Sequence, residues 1–70
     1  MKYIGIKQVL KNVKEDKVKK VYIAKDAEQH VVSELIDVCK EKSISITYVN
    51  TMSELGKKAG IEVGASCTAE

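Results

Sequence analysis

Apolar residues near the start of the chain recur at helical spacing. At 100° per residue, Ile6, Val9, Leu10 and Val13 share one side of a helix, and Lys7, Gln8, Lys11 and Lys14 share the other. A helix over about Lys7 to Glu15 follows, ended by the cluster Glu15-Asp16-Lys17. The segment from Val18 to Ala24 reads differently: Val21-Tyr22-Ile23-Ala24 is a continuous apolar run, as in a strand buried on both faces. Lys25-Asp26 breaks it, and Asp26 is expected to cap the next helix. That helix, from about Ala27 to Lys42, carries Val31, Val32, Leu35, Ile36, Val38 and Cys39 as a broad apolar stripe. Lys40 and Lys42 in its last turn complement the helix dipole.

From Ser43 to Val49 the period becomes two, with Ile44, Ile46 and Tyr48 alternating with Ser45 and Thr47, which predicts a strand with one wetter face. Thr51-Met52-Ser53-Glu54 is a capping box and opens a third helix. Met52, Leu55 and Ala59 form its expected inner edge, and Gly60 supplies the stop. A loop over Ile61 to Gly64 precedes a last strand of small residues, Ala65 to Glu70. The order αβαβαβ predicts an α/β fold, a three-layer α/β/α sandwich around a small parallel or mixed sheet of three strands. Residues 1–70 form one domain, of a size that buries only about 60% of its unfolded surface. The chain stops at Glu70, where further apolar residues would complete the last strand, so modest stability is expected.

Composition narrows the function classes. No apolar run approaches the roughly 18 residues of a membrane span and nothing resembles a signal peptide, which predicts a cytoplasmic protein with no membrane partner. Every basic residue is lysine, and the lysines are unevenly placed. Residues 1–25 hold eight lysines against two carboxylates, a net +6, and residues 26–70 hold four against eight, a net −4. A basic third on an acidic remainder is a footprint for a polyanion. Cys39 and Cys67 lack a CxxC arrangement and the chain has one histidine, so no metal set forms and the cysteines read as small buried apolar groups. His30 has Asp26 and Glu34 four residues to either side, a spacing that suits acid–base work, but such pairs are common on helix surfaces and no nucleophile accompanies them. Gly56 and Gly60 bracket a helix and do not form a phosphate-binding glycine motif. The expectation is a non-catalytic protein without cofactor or metal.

The basic footprint concentrates in Gly5-Ile6-Lys7-Gln8-Val9-Leu10-Lys11. Glycine at position 5 permits φ > 0 or close approach of the backbone to a ligand. Two cations and an amide then stand at a helix N-terminus, where free N–H groups and the macrodipole already favour an anion. Lysine there is poor electrostatics for the helix alone. The plainer reading is a solvated polar face.

Four segments carry a resemblance: Gly5 to Lys11, Val21-Tyr22-Ile23-Ala24-Lys25-Asp26-Ala27, Leu55-Gly56-Lys57-Lys58-Ala59-Gly60 and Ile61-Glu62-Val63-Gly64-Ala65-Ser66. In order and spacing they resemble the ribosomal protein seven-Ae family, most closely its short bacterial, ribosomal-protein-like kink-turn binders. The resemblance covers nearly the whole chain and implies an RNA-binding protein that holds kink-turns through their tandem G·A pairs. The family's Gly-x-Asn-Glu-x-x-Lys motif falls on Gly5, Lys7, Gln8 and Lys11, with Lys7-Gln8 the pairing expected of the bacterial branch. Its second contact, a loop packing under an unstacked nucleotide, falls on Ile61, Glu62, Val63, Gly64 and Ala65, with Gly64 where many relatives have proline. The extra N-terminal helix of longer members is absent from this sequence.

Elementary chemistry agrees with that reading. A-form RNA hides its base edges in a deep, narrow groove, and a sharp kink exposes them. Lys7 and Lys11 can donate to guanine O6 and N7, and Gln8 can face a purine edge of either polarity. Lys2, Lys14, Lys17 and Lys25 suit phosphates, which position without specifying. Ile61 and Val63 would form an apolar platform for a flipped-out base; by itself Val63 also reads as a loop residue tucked into the core. The expected partner is structured RNA with a kink-turn, of ribosomal or riboswitch type, bound by a monomer without affinity for DNA. Two alternatives stay open: a small α/β protein-interaction module whose basic face meets an acidic protein, and a generic basic RNA binder.

Overall fold

A computed structural model describes residues 2–70. The elements are β1 (Tyr3–Ile4), α1 (Ile6–Lys14), β2 (Lys20–Ala24), α2 (Gln29–Glu41), β3 (Ser45–Val49), α3 (Met52–Ala59) and β4 (Cys67–Ala69). The sheet is mixed, in the order β1-β4-β2-β3. β2 and β3 are parallel, and β4 runs antiparallel to both of its neighbours. Helices α1 and α2 pack on each other along one face and α3 covers the other, giving the expected three layers. Among the described residues no helix is long and apolar enough to cross a membrane.

The apolar stripes explain the core. Val9 and Val13 of α1, Val32, Leu35 and Cys39 of α2, and Val21 and Ile23 of β2 are buried together with Leu55 and Cys67. Ile6, Leu10, Val31, Ile36, Val38, Ile44 and Ile46 pack around them, partly covered. All three helices end with a left-handed residue, Asp16 (φ 59°), Ser43 (φ 58°) and Gly60 (φ 79°). The next N–H turns back to the carbonyl five residues earlier in each case: Lys17 to Asn12 at 2.9 Å, Ile44 to Cys39 at 2.8 Å and Ile61 to Gly56 at 3.0 Å. Only the third uses the residue best suited to that conformation. Ser43→Gly should therefore raise stability by roughly 1 kcal/mol, read as a higher urea midpoint. Asp16→Gly should gain less, because the Asp16 carboxylate also holds Lys42 at 2.7 Å.

Three expectations are corrected. The described residues form four strands in the order βαβαβαβ, not three in the order αβαβαβ: Tyr3 and Ile4 pair with Ala69 and Thr68. Two residues are too short to show a period, so only the tertiary partner defines that strand. Asp26 does not cap α2, whose N-cap position is Glu28 without a side-chain bond. A turn closed by Ala27 N–H to Ala24 C=O (3.2 Å) intervenes, and the Asp26 carboxylate instead accepts from the Met52 N–H of α3 at 2.8 Å. Met52 itself is 37% exposed, and Gly56 joins Leu55 among the buried positions of α3. Thr51 caps α3 as read, its hydroxyl accepting from Glu54 N–H at 3.1 Å, while the Glu54 side chain makes no return bond to Thr51 N–H among the described residues.

Candidate functional site

Strand direction gathers the singled-out segments. β1 and β2 both oppose β4, and β3 parallels β2, so the carboxyl ends of three strands meet the start of β4 at one end of the sheet. Open α/β sheets place their ligands at such an end. Gly5, Lys25-Asp26, the first turn of α3 and the loop over 61–66 all converge there. Backbone bonds fix the convergence: Gly5 N–H to Cys67 C=O at 2.9 Å, Ala24 N–H to Ser66 C=O at 3.0 Å, Lys25 N–H to Val49 C=O at 2.8 Å and Ala65 N–H to Met52 C=O at 3.0 Å. The stretch around Gly5 and the loop before β4, far apart in the chain, thus become neighbours.

On the α1 side, Gly5 adopts φ 92°, ψ 156°, a conformation open to glycine and almost nothing else. Nothing lies within 4 Å of where its Cβ would be, so backbone conformation alone requires the glycine. Among the described residues no side chain caps α1 and no acidic residue occupies its first turn, so the helix itself supplies no anion to its anion-favouring end. Lys7, Gln8 and Lys11 are exposed beside it. Among the described residues, none of Lys7, Lys11 and Lys25 has a carboxylate at ion-pair distance, whereas Lys14 pairs with Glu34 (3.0 Å), Lys17 with Glu15 (3.2 Å) and Lys42 with Asp16 (2.7 Å). Lys14 stands at the far end of α1, about 12 Å along the axis from Ile6. Asn12 went unnoticed in the sequence: it is buried, and its amide donates to the Gln8 carbonyl at 2.7 Å.

On the loop side, Ile61 packs against the core and Ala65 is 4% exposed, so these two anchor. Glu62 and Gly64 are exposed, and Val63 presents 70% of its surface. Val63 is therefore not tucked inward. The loop lies on α3 because Gly56 has no side chain. A Cβ there would overlap the Val63 carbonyl oxygen, with Val63 C at 3.1 Å and Gly64 Cα at 3.2 Å. Gly64 sits over Met52 less tightly, where a Cβ would be 3.1 Å from Met52 Cβ. Gly56 was expected to bracket a helix with Gly60, but it lies inside α3, with only Gly60 at its end; a glycine within a helix disfavours it unless packing requires the missing side chain.

The remaining chemistry disperses. His30 Nε2 lies 3.1 Å from Glu28, while Glu34 holds Lys14 and Asp26 holds the N-terminus of α3. Among the described residues no three potential ligands cluster for a metal. Cys39 and Cys67 are free and buried. Burial raises both thiols, that of Cys67 to about 11, with the Ser66 hydrogen bond opposing and Cys39 adding to the rise. A thiol that ionises at 9.0 when exposed and about 11 when folded adds stability that is complete below pH 9 and lost as pH rises through 11. The urea midpoint should fall across that window, and Cys67→Ala should flatten the fall.

Comparison with known proteins adds the following. The profile described as the ribosomal protein L7Ae/L30e/S12e/Gadd45 family matches residues 3–70. An RNA-binding protein of Caldanaerobacter subterraneus subsp. tengcongensis is 54% identical over 67 residues, covering 96% of this chain and 82% of that protein. Another, from Halalkalibacterium halodurans, is 47% identical over 66 residues, covering 94% and 80%. The structure of a Giardia lamblia 15.5kD RNA binding protein superposes with a TM-score of 0.87 at 25% identity, over 94% of this chain and 56% of that one.

Proposed function

Because the chain belongs to the ribosomal protein L7Ae/L30e/S12e/Gadd45 family, we propose that it is a non-catalytic RNA-binding protein that captures kink-turn RNA in its kinked form. The observation that carries this reading is the joining, at one end of the sheet, of the unpaired Lys7, Gln8 and Lys11 at the uncapped start of α1 to the loop bearing exposed Val63. Lys7 and Lys11 offer donors to guanine O6 and N7, and Gln8 offers both a donor and an acceptor to the adenine edge of a sheared pair. Val63, held on the Gly56 platform, covers the face of an unstacked loop base. Lys25 serves a phosphate. The protein acts as a monomer, in the cytoplasm, on RNA and not on DNA.

Free kink-turns interconvert between extended and kinked forms, and a ligand with affinity for one form shifts the population by its differential affinity. A kink-turn labelled at both ends should shorten on addition of the protein under ionic conditions where the free RNA is extended. Binding without shortening would contradict capture of the kinked form. Lys25→Ala should weaken binding to all RNAs alike and lower the salt slope by about one; altered preference between RNAs would place Lys25 at a base edge.

A further inference from the structure

The loop over 61–66 is held from two sides, and one of its contacts on α3 falls on a residue that a carboxylate from another element holds. At its β4 end, the Ser66 and Cys67 carbonyls accept from Ala24 and Gly5. On its α3 side, Ile61 N–H donates to the Gly56 carbonyl at 3.0 Å, Ala65 N–H donates to the Met52 carbonyl at 3.0 Å, and Gly64 rests on Met52. Met52 is the first residue of α3, and its own N–H donates to Asp26 Oδ1 at 2.8 Å. Thr51 serves a different donor of that turn, Glu54 N–H. Asp26 therefore reaches across from the β2–α2 turn to a residue on which the loop hangs. A carboxylate at that place also suits the positive end of the α3 dipole.

We propose that Asp26 is a positioning residue for RNA recognition: through Met52 it holds the loop so that Val63 faces the ligand. This rests on the kink-turn reading above. Asp26 has no base or phosphate of its own to bind, and as an anion beside Lys25 it would repel the RNA backbone if charge were its only contribution. Removing the carboxylate should therefore weaken binding, opposite in sign to the electrostatic effect.

The test compares Asp26→Ala and Asp26→Asn with the unmodified protein, titrated at fixed near-physiological salt against a kink-turn RNA and its Watson–Crick-paired control. Asp26→Ala should lose roughly five- to tenfold in kink-turn affinity. Asp26→Asn, whose amide oxygen can still accept from Met52 N–H, should recover most of it. In a double-mutant cycle the Asp26→Ala loss should shrink when Val63 is already alanine and stay unchanged when Lys11 is. Without RNA, amide exchange at Ala65 should quicken in Asp26→Ala and not in Asp26→Asn. If the unmodified protein fails to distinguish the two RNAs, the kink-turn reading falls and the proposal falls with it. If it does distinguish them, three results overturn the proposal alone: equal affinity of Asp26→Ala, tighter binding by both variants, or a loss that simply adds to that of Val63→Ala.

Discussion

Gly56→Ala should destabilise the protein by roughly 2–3 kcal/mol even though alanine is the better helix former by about 1 kcal/mol. The methyl group would overlap the Val63 carbonyl oxygen, with Val63 C and Gly64 Cα close behind at 3.1 and 3.2 Å. All three atoms are backbone, so no rotamer change relieves the clash. Either α3 or the loop must shift, and the loop is held at Met52, Ala24 and Gly5. Gly60→Ala provides the comparison. Gly60 is left-handed with open space around it, so its substitution costs only about 1 kcal/mol through backbone conformation. Urea unfolding of both variants checks the order. RNA affinity separates them further, because only Gly56→Ala displaces Val63. Gly56→Ala as stable as the unmodified protein would contradict the close packing of loop on helix.

The second large effect concerns binding with stability left alone. Lys7→Ala and Gln8→Ala should each weaken kink-turn affinity by roughly 1–3 kcal/mol, the worth of a good base contact. Both side chains are exposed and neither is paired among the described residues, so unfolding stability in urea should change by less than about 0.5 kcal/mol. Lys14→Ala should do the reverse in part, losing the pair with Glu34 and, on the proposed reading, no more than a phosphate contact. Its affinity loss should be equal for all RNAs. If Lys7→Ala and Gln8→Ala weakened every RNA equally, the start of α1 would be a basic patch and not a reader of base edges.

The elements that were legible in the sequence are those whose pattern is long. The nine residues of α1 and thirteen of α2 each carry a full apolar stripe, and Val21 to Ala24 is apolar throughout, as a strand covered on both faces must be. The Thr51 cap and the Gly60 stop were legible because their chemistry is local. What escaped depends on contacts across the fold. β1 exists because Tyr3 and Ile4 meet β4, and Asp26 caps α3 because a turn carries it away from α2. Gly56 matters only once the loop lies on it. The α1 half of the candidate site was legible from Gly5 and the lysines that follow it, and the loop half came from the resemblance, but nothing in the pattern placed them side by side. That adjacency follows from β4 pairing with both β1 and β2.

Selective recognition of the kinked RNA is what the proposed function requires of this end of the sheet. It is tested most directly by titrating a short kink-turn RNA against the same RNA with its G·A pairs replaced by Watson–Crick pairs, at one near-physiological salt concentration, since salt alone changes such affinities by orders of magnitude. Tight binding to the first and only weak, salt-sensitive binding to the second is the predicted result. Equal, salt-sensitive binding to both, or binding to neither, would contradict it.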